Sequence, residues 1–244
     1  MTMENELASL LSAWDIPVTD RQQEQFALYR ELLLDWNAKI NLTRITEPDA
    51  VTRLHFLDSL ALMRSELPLD NASLIDVGTG AGFPGIPLKI MNPSLHLTLL
   101  DALDKRCRFL QEVADRLGLM DTGSVTVLHG RAEDIGAAGR AGHLREQFDF
   151  VTSRAVAKLN ILCEYALPLL KIGGIFASYK LDDDTELRDA EKAMQILLAS
   201  SDKKIVYELP ETEPTRAVYL IRKNGPTPEK YPRRAGVPEK KPLQ

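Results

Sequence analysis

The sequence predicts an α/β fold: a mostly parallel sheet of seven strands with helices on both faces and a helical N-terminal extension. From Ser73 onward, short apolar runs of strand length alternate with stretches of helical length, which is the pattern of parallel strands joined by helices. The first run leads directly into a glycine-rich loop, and loops of this kind lie where such sheets bind ligands. The last two runs have no helix between them and are expected to pair antiparallel.

Residues 1–70 are predicted to form a helical cap that packs on the sheet domain. Glu4–Trp14 is expected to be a short amphipathic helix, and Thr19-Asp20 is a typical N-cap pair before a long one. In the long helix, apolar residues recur at steps of three and four: Phe26, Tyr29, Leu32, Leu33, Trp36 and Ile40. A third helix is predicted from near Pro48 to before Pro68, and its apolar residues on more than one face indicate cover from two sides.

The sheet domain is predicted to occupy residues 71–225. Its strands are expected at Leu74–Val77, Leu95–Leu100, Ser124–His129, Phe148–Val151, Ile175–Tyr179, Lys203–Leu209 and Ala217–Arg222. Its helices are expected over 85–91, 104–117, 157–170 and 184–200. Residues 226–244, called the C-terminal segment below, contain five prolines, so no long regular element is expected there.

Charge is distributed unevenly along the 244 residues. The net charge of −5 argues weakly against a nucleic-acid-binding protein, because such domains are commonly basic. Residues 216–244, however, hold eight Lys or Arg and two Glu, so they carry +6 and the preceding residues carry −11. A basic segment spaced by prolines and lacking a core is expected to be an extended arm that orders on RNA, although it can also act only to keep the protein soluble.

Cysteine and histidine usage indicates neither disulfides nor a metal site. Cys107 and Cys163 form no CxxC pair and are expected to be free thiols in a reducing compartment. The four histidines lack the spacing of zinc ligands. The first residues do not resemble a signal peptide, and no apolar run reaches the roughly 18 residues of a membrane span. The expected location is therefore the cytoplasm.

The glycine loop spans Asp76–Gly85, DVGTGAGFPG. Glycines allow positive φ angles, and the helix that follows offers free N–H groups to a ligand. Residues 80–85 also fit the dinucleotide pattern GxGxxG, which leaves a nicotinamide-dependent oxidoreductase or a tight structural turn open. Asp76 before Gly78 and Gly80 favours S-adenosylmethionine, because a carboxylate suits its ammonium group better than a pyrophosphate.

Two acidic positions follow the next strands. Asp101 can accept hydrogen bonds from both ribose hydroxyls of a cofactor. Its alternative role is to cap the 104–117 helix, for which Asp104 is better placed. Glu133 and Asp134 follow the third strand, where they would either flank an adenine or cap a solvated turn.

Further candidates lie at the end of the fourth strand and on the third helix. Arg154 is expected to contact cofactor or phosphate, the alternative being a salt bridge to a carboxylate such as Asp76. His55, Asp58 and Ser59 share one helix face and are interpreted as a lid over the site that positions substrate, or as a polar face bordering it.

Basic residues that could meet RNA phosphates are few, and only local patches matter, since screening at physiological salt acts over about 8 Å. The candidates are Arg106, Arg108, Lys180, Lys230, Arg233, Arg234, Lys240 and Lys241.

Six segments occur in order and together carry a family resemblance: HFLDS (55–59), DVGTGAGFPGIPL (76–88), LLDALDKRCRFL (99–110), GRAED (130–134), FDFVTSRAVA (148–157) and PLLKIGGIFASYK (168–180). The chain resembles the small-subunit ribosomal RNA methyltransferase G family, also called glucose-inhibited division protein B. The resemblance runs from about Asn41 to the C-terminal segment, which is similar to that of Gram-positive members. One departure is the acidic Leu-Asp-Asp-Asp after Lys180, where the family leads us to expect a glycine.

The resemblance implies a Rossmann-like fold and methyl transfer from S-adenosylmethionine to N7 of one guanine in 16S ribosomal RNA. It also implies that a set of residues contacts the cofactor: Gly78, Phe83, Asp101, Ala102, Leu103, Ala132, Glu133 and Arg154. Because N7 has a lone pair and no hydrogen, the reaction needs no general base. The implied partner is 16S rRNA or the small-subunit particle, and the protein is expected to be a monomer.

Other functions stay open at this point: a methyltransferase of a small molecule or a protein, the oxidoreductase above, or a non-enzymatic assembly factor. For the RNA-modifying reading, deleting residues 226–244 is expected to weaken RNA methylation and to leave cofactor affinity intact.

Overall fold

A computed structural model describes residues 3–120, 124–139, 144–154, 157–212 and 214–244, with the backbone alone for residues 3–5. Residues 140–143, which include part of the Gly/Ala-rich stretch before the fourth strand, and residues 155–156 of the FDFVTSRAVA motif lie outside the described residues. Within these described ranges, no helix combines the length and apolar character needed to cross a membrane.

The first two helices form as predicted. Helix α1 spans Met3–Ser12, and α2 spans Asp20–Ile40. Thr19 caps α2 through a capping box with Gln22, in which each side chain bonds to the other's backbone N–H. The helix ends at Asn41, whose left-handed conformation turns the chain toward the next segment.

The third helical segment is continuous but changes its winding three times. It consists of α3 (Pro48–Val51), a π-helix (Thr52–Leu57), α4 (Asp58–Leu60) and a 3₁₀ turn (Ala61–Arg64). Its apolar residues are buried on both sides, which confirms the prediction of two-sided cover. The π-helix was not predicted, because the apolar residues of this segment lie on more than one face and show no single helical period. Such segments are frequent at functional sites.

The seven strands form one sheet in the order β3-β2-β1-β4-β5-β7-β6, and β7 runs antiparallel to both of its neighbours. Their bounds are Ser73–Val77, His96–Asp101, Val125–His129, Phe148–Arg154, Leu170–Leu181, Ala199–Tyr207 and Arg216–Lys223. The mostly parallel sheet with a final antiparallel pair is thus confirmed. β5 begins at Leu170, five residues before the predicted start at Ile175, and its pairing with β4 contains a register shift between Phe148 and Phe150.

Helices cover both faces of the sheet. Their bounds are α5 Gly85–Met91, α6 Asp104–Arg116, α7 Ala132–Ile135, α8 Leu159–Ala166 with a 3₁₀ turn Leu167–Leu169, α9 Asp184–Ile196 and α10 Val237–Lys240. The cap helices pack with α5 and α6 on one face, and α8 and α9 pack on the other. The carboxyl ends of β1, β2 and β4 meet at one edge, which is where the glycine loop lies.

The C-terminal segment is not the extended arm without a core that its composition predicts. Tyr231 and Leu243 are buried in the core on the α8 side of the sheet. Arg233 forms an ion pair with Glu164, a fully buried residue of α8. Apolar side chains placed between the prolines therefore fix the segment to the body, while its only helix is the four-residue α10.

Candidate active site

The glycine loop joins β1 to α5 at the carboxyl edge of the sheet. Gly78, Gly80 and Gly82 have φ angles of 67°, 61° and 96°, which side chains rarely adopt. At Gly82 an added Cβ would also lie 2.5 Å from the side chains of Ile86 and Tyr29. The backbone N–H of Gly80 donates to the Asp101 carboxylate at 2.9 Å. The loop is thus held against the end of β2 in a conformation that only glycine permits.

Asp76 does not reach a cavity, so its predicted role as a cofactor contact finds no support in its position. The residue is fully buried, and its carboxylate accepts hydrogen bonds from the hydroxyls of Thr79 at 2.6 Å and Thr152 at 2.9 Å. It also accepts one from the backbone N–H of Gly85 at 3.0 Å. Burial raises the pKa of Asp76 to about 6, against these hydrogen bonds. Asp76 instead holds the two ends of the glycine loop together.

Asp101 lies at the end of β2 and lines the cavities on both sides of it. Its two carboxylate oxygens accept from the backbone N–H groups of Gly80 and Leu103, each at 2.9 Å, and Arg106 approaches at 3.4 Å. Neither acidic residue caps α6 in the way that was expected. The N-cap is Leu103, and Asp104 pairs with Arg108 instead.

The smaller cavity, of about 130 Å³, lies between the ends of β1, β2 and β3. Its walls include Gly78, Asp101, Ala102, Ala132, Glu133, Tyr165 and Glu239. Glu133 is buried and does not cap α7, whose N-cap makes no side-chain hydrogen bond. Its carboxylate accepts from the N–H of Gly236 at 3.0 Å. The C-terminal segment therefore reaches this cavity, which the sequence did not predict.

The larger cavity, of about 750 Å³, adjoins the smaller one along Gly78, Asp101 and Ala102. It is lined by Leu42, Thr43, Arg44, His55, Gly78, Thr79, Gly80, Ala81, Phe83, Asp101, Ala102, Leu103, Arg106 and Arg154. All residues that the family resemblance assigns to the cofactor thus lie around these two cavities. Thr43 and Arg44 belong to the same wall and were missed, although the helix break at Asn41-Leu-Thr43 was a signal for a loop there.

Arg154, at the end of β4, is held from several sides. Its guanidinium donates to the Asp58 carboxylate at 2.7 Å and to the Leu54 carbonyl at 3.1 Å. It also lies over the Phe83 ring, 4.9 Å from the centroid. A salt bridge does form, but to Asp58 and not to Asp76 as the alternative suggested. Asp58 and His55 both reach Arg154 from the third helical segment.

His55 is held in its neutral form. Burial, followed by the charge of Arg154, lowers its pKa to about 3. Since a guanidinium can only donate, His55 Nδ1 must accept from Arg154 at 3.0 Å, which assigns the ring proton to Nε2. Nε2 then donates to the Thr43 hydroxyl at 2.8 Å. That oxygen also accepts from the N–H of Ile45 at 3.1 Å, so among the described residues no acceptor takes the Thr43 hydroxyl proton, and Thr43 lines the larger cavity.

A third cavity, of about 340 Å³, lies on the other side of Arg154 at the ends of β5 and β7. Its lining includes Asp58, Arg154, Tyr179, Lys180, Asp183, Glu186, Tyr207 and Arg216. Lys180 pairs with Glu186 at 3.1 Å and donates to the Ala157 carbonyl. Its ammonium is therefore engaged inside the protein.

The acidic loop after Lys180 has a structural explanation. Asp183 caps α9 by accepting from the N–H of Thr185, and Asp182 and Asp184 both pair with Lys204. These partners compensate a run of three carboxylates that looked out of place in the sequence.

The predicted RNA-contact residues fall into two groups. Lys180, Arg106 and Arg233 pair with acidic residues of the body. The others have exposed side chains: Arg108, which pairs with the likewise exposed Asp104, and Lys230, Arg234, Lys240 and Lys241. Cys107 and Cys163 are buried free thiols. In the part of the chain that the structure describes, no three His, Cys, Asp or Glu residues gather in a way that could hold a metal ion.

Comparisons with known proteins agree with this arrangement. Residues 22–212 match the family described as rRNA small subunit methyltransferase G, GidB. A protein of Lactococcus lactis subsp. lactis named ribosomal RNA small subunit methyltransferase G is 46% identical over 242 residues, which are 98% of this chain and 99% of that protein. A protein of the same name from Alkaliphilus oremlandii is 45% identical over 245 residues and the full length of both.

Solved structures share the fold at low sequence identity. The crystal structure of P. horikoshii TYW2 in complex with MeSAdo has a TM-score of 0.53 at 12% identity, over 69% of this chain and 62% of that chain. A putative sarcosine dimethylglycine methyltransferase from Galdieria sulphuraria has a TM-score of 0.53 at 13% identity, over 82% and 98% of the two chains. The predicted Rossmann-like methyltransferase fold is thereby confirmed.

Proposed function

Because this chain belongs to the ribosomal RNA small subunit methyltransferase G family, we propose that it transfers a methyl group from S-adenosylmethionine to N7 of a guanine in 16S rRNA. The observation that carries the proposal is the position of Arg154. It lies between the larger cavity, with the residues that the family resemblance assigns to the cofactor, and the third cavity, which has room for a second reactant.

The polar groups around the two adjoining cavities fit S-adenosylmethionine. The carboxylates of Asp101 and Glu133 lie toward the smaller cavity, where acceptors suit ribose hydroxyls and an adenine amine. The Thr43 hydroxyl and the Arg44 and Arg154 side chains lie in the larger cavity, where donors suit a carboxylate. When bound, the cofactor would supply an electrophilic methyl group on its sulfonium.

The residues of the site are suited to positioning and not to removing a proton. His55 is neutral with both ring nitrogens engaged, and Asp76 is sealed beneath the glycine loop. Guanine N7 attacks with its own lone pair and has no hydrogen to lose, so the reaction needs neither group as a base. Asp58, Leu54 and Phe83 fix the Arg154 guanidinium between the two cavities. Catalysis would then depend on holding N7 in line with the methyl group, and such orientation of two reactants can supply about 7–11 kcal/mol in favourable cases.

The test is nucleoside mass spectrometry of 16S rRNA from cells with and without this protein. We expect the loss of one N7-methylguanosine, restored by the intact chain and not by an Arg154→Met variant. An unchanged N7-methylguanosine content contradicts the proposal and favours a small-molecule or protein substrate. A melting temperature raised by NADH and not by S-adenosylhomocysteine favours the oxidoreductase instead.

The same proposal also covers the partner, the location, the oligomeric state and the roles of the two parts of the chain. The small-subunit RNA or its particle is the partner, the cytoplasm is the location, and the protein acts as a monomer, which light scattering in solution tests. Residues 1–70 act as a cap on a methyltransferase domain of residues 71–225. The better candidates for phosphate contacts are those whose side chains face solvent: Arg108, Lys230, Arg234, Lys240 and Lys241.

A further inference from the structure

The C-terminal segment forms part of the smaller cavity. Glu239, in α10, lines it together with Ala132, Glu133 and Tyr165. The N–H of Gly236 donates to Glu133 at 3.0 Å, and the Tyr165 hydroxyl lies 3.4 Å from the Glu239 carboxylate. Two independent contacts therefore join the segment to residues on the opposite wall.

This wall is firmly attached to the body. Arg233 donates to the buried Glu164 through its backbone N–H at 2.8 Å and through its guanidinium at 2.5 to 3.1 Å. Leu243 is buried, and its carbonyl accepts from the side chain of Asn160 at 3.5 Å. Since anchors lie on both sides of Glu239 in the sequence, its position over the cavity is set by the fold.

We propose that the C-terminal segment is part of the cofactor site and that Glu239 accepts a hydrogen bond from the exocyclic amine of adenine. The proposal rests on the function proposed above, because it takes S-adenosylmethionine as the ligand. Three carboxylates line the smaller cavity. Those of Asp101 and Glu133 already accept from backbone N–H groups, whereas among the described residues the Glu239 carboxylate has only the long contact with Tyr165. An amine with two hydrogens is the ligand group that such an acceptor suits.

Deleting residues 226–244 should therefore affect the cofactor site. An extended arm of the kind that the composition predicts could be deleted without loss of cofactor affinity. In the folded protein, loss of residues 226–244 removes one wall of the smaller cavity and uncovers α8, so we expect cofactor affinity to fall as well.

The experiment measures binding of S-adenosylhomocysteine and of its inosine analogue by calorimetry. The inosine analogue replaces the amine donor with a carbonyl acceptor. The proteins are the intact chain, Glu239→Ala, Glu239→Gln and the control Glu229→Gln, which removes the same charge from an exposed position of the same segment.

We expect Glu239→Ala to bind S-adenosylhomocysteine about tenfold more weakly, since a hydrogen bond to a charged group is lost. The intact chain should bind S-adenosylhomocysteine more tightly than the inosine analogue. This ratio of affinities should be smaller in Glu239→Ala and smaller still in Glu239→Gln, whose amide can donate to the inosine carbonyl. The control should match the intact chain. Equal affinities and preferences in all four proteins would overturn the inference but leave the proposed function standing. Failure of the intact chain to bind S-adenosylhomocysteine would overturn both.

Discussion

His55 shows how its neighbours fix the state of a single side chain. Its ring stacks on Phe83 with centroids 4.5 Å apart, and its nitrogens meet Arg154 and Thr43. In water a histidine is often partly protonated near neutral pH. Here the buried ring beside a guanidinium stays neutral. It accepts a hydrogen bond from Arg154 and donates one to the hydroxyl of Thr43.

The pH dependence of stability should reveal this neutral state. The pKa of His55 is about 3 in the folded protein and 6.5 as its ordinary value, so between these values the unfolded chain binds more protons. Stability from this group is complete above pH 6.5 and is lost as the pH falls toward 3. The stability difference between the wild type and His55→Gln should shrink by about 1–2 kcal/mol from pH 7 to pH 5, measured by urea unfolding.

The raised pKa of Asp76 contributes with the opposite sign, but it is common to both proteins and cancels in that difference. A difference that stays constant or grows toward pH 5 would show that His55 is protonated in the folded state.

Substitutions of Thr43 test the hydrogen bonds that run from Arg154 through His55 to the Thr43 hydroxyl. Thr43→Val keeps the shape but removes the acceptor of the His55 Nε2 hydrogen and the donor to the cavity. We expect affinity for S-adenosylhomocysteine to fall about tenfold, whereas Thr43→Ser, which keeps the hydroxyl, stays near wild type. Calorimetry that finds Thr43→Val and Thr43→Ser alike would contradict the assigned hydrogen-bond directions.

At the scale of elements, the cap does more than cover the sheet. Helix α2 supports the glycine loop directly, because the Tyr29 hydroxyl donates to the Ala81 carbonyl at 2.5 Å. Gln22, near the start of the same helix, donates to the carbonyls of Ile90 and Met91 at the end of α5. One helix therefore holds both the loop before α5 and the last turn of α5.

Removing the Tyr29 hydroxyl should loosen the loop without emptying the core. Tyr29→Phe leaves the buried Ala81 carbonyl without its side-chain donor, so we expect a loss of about 1–3 kcal/mol in stability and weaker binding of S-adenosylhomocysteine. The control is Thr19→Ala, which removes the α2 cap at a cost of about 1 kcal/mol but does not touch the loop. If both variants weaken binding equally, the effect is general destabilisation and the loop contact is not responsible.

Elements whose signal is local were predictable. The N-cap pair, the glycine loop and the alternation of strands and helices each depend on residues close together in the sequence, and all three are confirmed. The residues that pair with one another in the candidate site could not be predicted. Asp76 and Asp58 are both carboxylates in plausible positions, and the structure pairs Arg154 with Asp58, the residue that follows the π-helix.

At the scale of the whole molecule, half of the basic side chains of residues 216–244 form ion pairs within the protein. Four of the eight basic side chains pair with carboxylates elsewhere: Arg216 with Asp58, Arg222 with Asp202, Lys223 with Glu146 and Arg233 with Glu164. Composition alone could not show this, because a count of charges contains no information about distant partners. The surplus available to an RNA is smaller than the sequence suggests.

The pair of Arg233 and Glu164 should be the strongest link between the C-terminal segment and the body. In Arg233→Met the buried Glu164 carboxylate loses its compensating charge, and we expect a loss of about 3–5 kcal/mol in urea unfolding. The double variant Arg233→Met/Glu164→Leu should recover much of it, because no charge is left buried.

Arg234→Met is the matched control, since its side chain is exposed and its loss should change stability by no more than about 0.5 kcal/mol. Equal effects at positions 233 and 234 would mean that the buried pair does not hold the segment.

The position of Glu239 in the sequence has a consequence for how the protein is made. Glu239 follows all seven strands, yet it lines a cavity whose other walls come from β1, β2, the residues after β3 and Tyr165 of α8. A growing polypeptide that has emerged as far as β7 therefore contains the complete sheet and the glycine loop but has one side of the cavity open. If the cavity binds the adenosine of the cofactor as proposed, the protein can hold its ligand firmly only after the segment beyond β7 has left the ribosome.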